Sequence, residues 1–214
     1  MRRRFRDRAH AGEELAGMLV AYRGVDGVVL GLPRGGIAVA APIADALDLP
    51  LDAYMVRKLG VPGHEELAMG AIASGGVVVW NDEVLSSLRI SGERREAVVV
   101  RERAELERRE RAYRGDRAPI SVRGRTMLVI DDGLATGATM NAAVAALRAD
   151  EPEAIVVAVP VAPRAAIATL GERVEEVVAV LVPDRFGAVG EWYDDFRPTT
   201  DEQVVSLLRS RHHD

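Results

Sequence analysis

An apolar run over residues 127–130 ends in two adjacent carboxylates, Asp131 and Asp132. A loop of small residues and hydroxyls follows: Gly133, Ala135, Thr136, Gly137 and Thr139. A strand that runs through such a loop into a helix makes an anion site, because unpaired backbone N–H groups and the positive end of the helix dipole meet there. The two carboxylates do not suit that anion, since like charges repel. They suit a polyol or a hydrated cation beside it. A phosphate at one end, a diol at the other and a metal close by describe a ribose 5-phosphate.

Two other stretches offer positive charge to such a ligand. A short apolar run over 28–32 leads into Pro33-Arg34-Gly35-Gly36 and then a helical pattern up to Leu47. Glycines let a backbone approach an anion closely, and Arg34 can supply a charge-assisted hydrogen bond. Among 28 Lys plus Arg there is a single lysine, Lys58. Either chance kept it, or the position needs a compact, mobile ammonium where a planar guanidinium will not serve. It follows Arg57, just after the mostly apolar run 51–56.

Residues 127–139 resemble the PRPP-binding signature of the type I phosphoribosyltransferases. The resemblance implies that Asp131 and Asp132 contact the ribose 2- and 3-hydroxyls and hold Mg²⁺ through water, as catalytic and metal-site residues. It implies that Ala135, Thr136, Gly137, Ala138 and Thr139 hold the 5-phosphate. Gly133 stands where many members carry an aliphatic residue, so a looser turn is expected. Gly31-Leu32-Pro33-Arg34-Gly35-Gly36 is similar to the family's pyrophosphate loop, which puts Arg34, Gly35 and Gly36 on PRPP. Arg57-Lys58-Leu59-Gly60, with Pro62 after it, resembles the start of the mobile loop in the adenine enzymes. That implies that Arg57 and Lys58 face the pyrophosphate, and that a loop over 57–70 closes to exclude water.

These residues need a scaffold that brings strand ends together. Strands are expected near 28–32, 51–56, 69–73, 77–80, 127–131, 154–161 and 174–182. Helices are expected near 8–22, 37–47, 81–88, 92–114, 139–148 and 164–170, with a last helix after the Thr200/Gln203 capping-box pattern. Such alternation implies an α/β fold: a parallel sheet flanked by helices, with ligands at the carboxyl ends of the strands. The 214 residues suit one domain, 1–214, with a small C-terminal hood over 183–198. A net charge of −5 argues against nucleic acid as a partner. No cysteine is present, so thiolate chemistry is excluded. No apolar run is long enough to span a bilayer, and the Arg-rich start, interrupted by Asp7, Glu13 and Glu14, lacks the apolar core of a signal peptide. A cytoplasmic protein is expected. The charged pattern over 93–114 reads as a solvated helix face with i,i+4 ion pairs. Its Val98-Val99-Val100 patch serves either the core or a second copy of the chain, so a homodimer stays open. The opening Phe5-Arg6-Asp7-Arg8 is similar to that of an uncharacterised bacterial branch of the family, and is read here as a solvated start.

The acceptor end is the least determined. Phe186, Trp192, Tyr193 and Phe196 cluster in the hood stretch, and aromatic faces stack on planar bases. By resemblance to the hypoxanthine-guanine enzymes, Phe186 would stack on a purine, with Trp192 as a second base contact; the alternative is that the aromatics anchor the tail to the core. Ala135 stands where the 6-oxopurine enzymes carry an aspartate. Ala68 stands where the adenine enzymes carry a glutamate. Transfer of 5-phosphoribosyl from PRPP to a nitrogenous base is the reaction implied, with a purine favoured. A non-catalytic PRPP or nucleotide sensor on the same fold is the alternative.

Overall fold

The computed structural model describes residues 3–115 and 117–209. Five parallel strands form the central sheet: β1 (Gly27–Gly31), β2 (Leu51–Ala53), β6 (Thr126–Ile130), β7 (Ala154–Val161) and β8 (Glu176–Leu181), in the order β2-β1-β6-β7-β8. Every residue of β1 and β6 is buried. That is the pattern of a parallel strand covered on both faces, and it explains why these segments read as continuous apolar runs without alternation.

The strand period of two then divides the core. Leu128 and Ile130 point to one face with α1 (Arg8–Met18), α2 (Gly35–Leu47) and α7 (Asp201–Arg209). Met127 and Val129 point to the other, with α5 (Ala138–Ala149) and α6 (Arg164–Gly171). The last helix starts as the capping pattern requires. The Thr200 N–H donates to Gln203 Oε1 at 2.8 Å, and the Gln203 N–H donates to Thr200 Oγ1 at 3.2 Å. Among the described residues, no helix is long and apolar enough to cross a membrane.

The expected strand over 51–56 is in fact two. The chain leaves the central sheet after Ala53 and starts β3 (Val56–Val61), which pairs antiparallel with β4 (His64–Ala73); β5 (Val78–Trp80) completes a second, three-stranded sheet. The expected loop over 57–70 is therefore a β-hairpin turning at Pro62-Gly63. Helix α3 (Asp82–Leu88) and the long α4 (Gly92–Arg114) follow. Helix α4 carries Glu105–Arg109 outward at 2.8 Å, whereas Glu110 reaches the buried Arg114 at 3.2 Å. Val98 and Val99 go into the core, while Val100 is exposed.

A buried ion pair ties α4 to the sheet edge. Arg114 Nε donates to Asp52 Oδ1 at 2.9 Å, and the same guanidinium donates to the Ala53 carbonyl. Asp52 also accepts the N–H of Ala53 at 2.7 Å and that of Ile120 at 3.2 Å. Both side chains are under a tenth exposed, so removing one strands the other without water. Arg114→Ala should destabilise the fold by about 3 kcal/mol or more. Urea denaturation checks this, and a loss below about 0.5 kcal/mol would show that the edge is held by other contacts.

Candidate functional site

The strand order places the site. Chain order reverses between β1 and β6, and a crevice opens outside the carboxyl ends of strands at such a switch point. The two loops that leave β1 and β6 meet there. Gly31 and Ile130 are register partners, and the Leu32 N–H donates to the Ile130 carbonyl at 2.9 Å, so the ladder runs on into the first loop. Gly35 and Gly36 then pass directly against the acid pair. A Cβ on Gly35 would lie 2.6 Å from the carboxyl carbon of Asp132, and one on Gly36 would lie 2.6 Å from the Ile130 carbonyl oxygen. No side chain fits between the two loops.

Beyond the acids, the Leu134 N–H donates to the Val161 carbonyl at 2.9 Å, which pins the loop to β7. Gly137 caps α5, and the N–H of Ala138 lies 3.4 Å from Thr136 Oγ1. Ala135, Thr136, Ala138 and Thr139 are exposed around the first turn of α5. The turn at Gly133 is tight, not loose: a Cβ there would fall 2.6 Å from Val189 Cγ1 and 3.1 Å from Val161 Cγ1. A hood valine fills the space that an aliphatic side chain at 133 would occupy.

The acids are not alone. Arg8, at the start of α1, donates from Nε to Asp132 Oδ2 at 2.8 Å, and from a terminal nitrogen to the Arg197 carbonyl at 2.8 Å. Its guanidinium carbon lies 4.0 Å from the centre of the Phe196 ring. Tyr193 donates its hydroxyl to the Asp132 carbonyl at 2.6 Å. Burial, then the neighbouring Asp132 charge, push the Asp131 carboxyl up to about 8, while the Asp132 N–H and Arg8 pull it back. Among the described residues, no three of His, Cys, Asp and Glu gather around a metal position. Two adjacent carboxylates could hold a divalent cation only through its water or with oxygens from another molecule.

Residues 6–181 match the phosphoribosyl transferase domain family. The chain belongs to that family. Two Mycobacterium tuberculosis proteins, whose names mark them as candidate phosphoribosyl transferases, are 43% identical over 210 residues, 98% of this chain. The chain spans about half the length of these curated relatives, 47%. The crystal structure of TT1426 from Thermus thermophilus is 43% identical, with a TM-score of 0.86 over 98% of this chain and 100% of that one. A Neisseria gonorrhoeae hypothetical protein, solved with bound ppGpp, shares the fold at 16% identity and a TM-score of 0.51, over 98% of each chain.

In this phosphoribosyl transferase domain, residues 131–139 run as one continuous stretch from the end of β6 to the first turn of α5, with Gly35 and Gly36 packed against the acid pair. Arg34 is half exposed at that loop and lies 3.7 Å from Asp201, in the first turn of α7. Arg57 and Lys58 face opposite sides of β3, as neighbours on a strand do. Arg57 Nε donates to Glu102 of α4 at 2.7 Å. Burial works against the Glu102 charge, but Arg57 and Arg101 outweigh it and hold that carboxyl below its ordinary range. Lys58 is half exposed on the other side, its ammonium 3.2 Å from the Glu66 carbonyl.

Trp192 corrects the expectation for the hood. It is 5% exposed and packs in a cluster with Phe5, Ala11, Val161 and Tyr193, so its ring anchors the segment and has no open face for a base. Phe186, half-buried at the edge of that cluster, keeps some open surface. Arg8, Tyr193 and Val189 were not expected at the site. The signal available for Arg8 was Asp7, whose carboxylate accepts the His10 N–H at 2.8 Å and so starts the helix one residue before it.

The raised Asp131 carboxyl sets a pH dependence. Its folded pKa lies above the unfolded value, so between about pH 4 and 8 the native state holds more proton and stability falls as pH rises. Asp131→Asn should remove this slope. With metal chelated, the variant should gain at least about 1.4 kcal/mol over wild type between pH 4 and 8.5, the worth of one pKa unit. Parallel stability curves from urea denaturation across that range would refute the shift.

Proposed function

We propose that the chain transfers a 5-phosphoribosyl group from PRPP to a nitrogenous base, a purine before other bases, and releases pyrophosphate. The observation that carries this reading is the contact of the acid pair with the Gly35-Gly36 loop at the switch point, beside the hydroxyl loop at the start of α5. On this reading the backbone N–H groups of 135–139 and the hydroxyls of Thr136 and Thr139 hold the 5-phosphate. That remote anchor orients C1 of the ribose. Asp131 and Asp132 accept hydrogen bonds from the two ribose hydroxyls. Backbone N–H groups at Gly35 and Gly36 face the pyrophosphate, with Arg34 turning from Asp201 and Lys58 reaching from the hairpin.

The C1–O bond to pyrophosphate breaks, and its electron pair leaves with the pyrophosphate. A ring nitrogen of the base forms the new bond to C1 and gives up its proton. Asp131 and Asp132 would hold Mg²⁺ through its water, and the ion would supply charge neutralisation to the leaving group. Phe186 offers the hood's open aromatic surface to the base. The absence of cysteine agrees with a cytoplasmic setting. Val100, exposed on α4, remains available to a second copy of the chain.

A second reading is favoured by Ala135 and Ala68, which leave both base-recognition positions without a carboxylate: a PRPP sensor that binds without transfer. Pyrophosphate release from PRPP, assayed with Mg²⁺ across purines, pyrimidines and related heterocycles, separates the two. Base-dependent release is expected. Asp131→Asn with Asp132→Asn should lower it at least about 100-fold, with the far-ultraviolet circular dichroism unchanged. PRPP binding by calorimetry with no release for any base would favour the sensor, and no PRPP binding would overturn both. Lys58→Arg should cost about tenfold in kcat/KM, since a fork replaces a point charge; wild-type kinetics would make the lysine incidental.

A further inference from the structure

The N-terminal segment is stitched to the hood and ends on the acid pair. The Phe5 N–H donates to the Trp192 carbonyl at 2.8 Å, the Asp194 N–H to the Phe5 carbonyl at 2.8 Å, and the Asp195 N–H to the Arg6 carbonyl at 2.9 Å. This short parallel bridge fixes where α1 begins, and Arg8 is its first residue. The Arg8 side chain is 11% exposed and that of Asp132 is 18% exposed. Asp132 Oδ2, the Arg197 carbonyl and the face of Phe196 hold the guanidinium, with the centre of the Tyr193 ring 6.0 Å away. The loop from β1 makes room for it, since a Cβ on Gly35 would lie 2.9 Å from Arg8 Nε.

We infer that Arg8 is a positioning residue for PRPP: it holds Oδ2 of Asp132, aims Oδ1 at a ribose hydroxyl, and cancels the Asp132 charge that a polyanionic substrate would otherwise meet at the strand end. This role rests on the PRPP reading of the same site. The physical need is plain. Two adjacent, half-buried carboxylates repel each other and any phosphate that approaches, and a fixed guanidinium lowers both costs without occupying the second carboxylate oxygen. Arg8 does not touch the reacting atoms, so its effect passes through Asp132.

A double-mutant cycle tests this on the full chain. PRPP affinity is measured by calorimetry in Mg²⁺ for wild type, Arg8→Gln, Asp132→Asn and the double variant, with Arg8→Lys as the conservative change. Arg8→Gln should weaken PRPP about 10- to 100-fold, the usual cost of removing a residue that orients a ligand-binding group. Arg8→Lys should recover part of that loss. In the Asp132→Asn background, Arg8→Gln should cost less than about threefold, because the group it orients has lost its charge. Equal losses in both backgrounds would reduce Arg8 to a structural tie, and unchanged or tighter PRPP binding by Arg8→Gln would overturn the proposal outright. Wild type that binds no PRPP would instead overturn the function reading and this role with it. Wild type that binds while Arg8→Gln matches it removes this role alone.

Discussion

Two backbones have to pass within contact distance at the carboxyl ends of β1 and β6, with carboxylates rising from one and nothing rising from the other. That approach organises the molecule. It needs the ladder to continue past the strand ends, which the Leu32–Ile130 hydrogen bond provides. It needs residues without side chains on the facing loop, which Gly35 and Gly36 provide. It needs both strands buried on both faces so that neither end shifts, and the division of Met127 to Ile130 between two cores achieves this. The helices that start at these loops, α2 and α5, lie on opposite faces of the sheet. Their amino ends therefore converge on one crevice from two sides.

The same arrangement is costly for stability. Burial, and then the neighbouring acid, disfavour the charge at this strand end and push the Asp131 carboxyl up. Several contacts offset the cost from outside the motif: Arg8 on one oxygen of Asp132, the Tyr193 hydroxyl on its carbonyl, and Val189 over Gly133. All three come from the two ends of the chain, packed together around Phe5 and Trp192. The hood therefore has a structural duty beneath any role in recognising a base: it braces the acid pair.

What was legible in the sequence follows from separation along the chain. The strand, acids, loop and helix of 126–149 lie in one continuous stretch, and each part constrains the next, so the whole unit could be read directly. The strand, glycine loop and helix of 27–47 were legible for the same reason. Arg8 meets Asp132 across 124 residues, and no local pattern ties one to the other; an arginine among five near the start looks like solvated charge. Trp192 misled for a different reason. Its aromatic character fits stacking and packing equally, and only its neighbours decide which. At Gly133 the sequence shows a missing side chain, whereas the fold supplies a replacement from position 189.

The hairpin shows how a secondary-structure assignment changes a functional argument. As a loop, 57–70 leaves Arg57 and Lys58 equivalent. As a strand, it separates them by its alternation, and each takes the work its chemistry suits. Arginine, with several fixed donors, binds Glu102 and fastens β3 to α4. Lysine, a single mobile charge, remains half exposed on the other face and only lightly held by Glu66. A long flexible side chain on a strand fastened from behind can reach a passing anion without the strand itself having to rearrange. The place of the lone lysine therefore differs from that of its neighbour: the guanidinium anchors β3 to α4, and the ammonium stays half exposed beside Glu66.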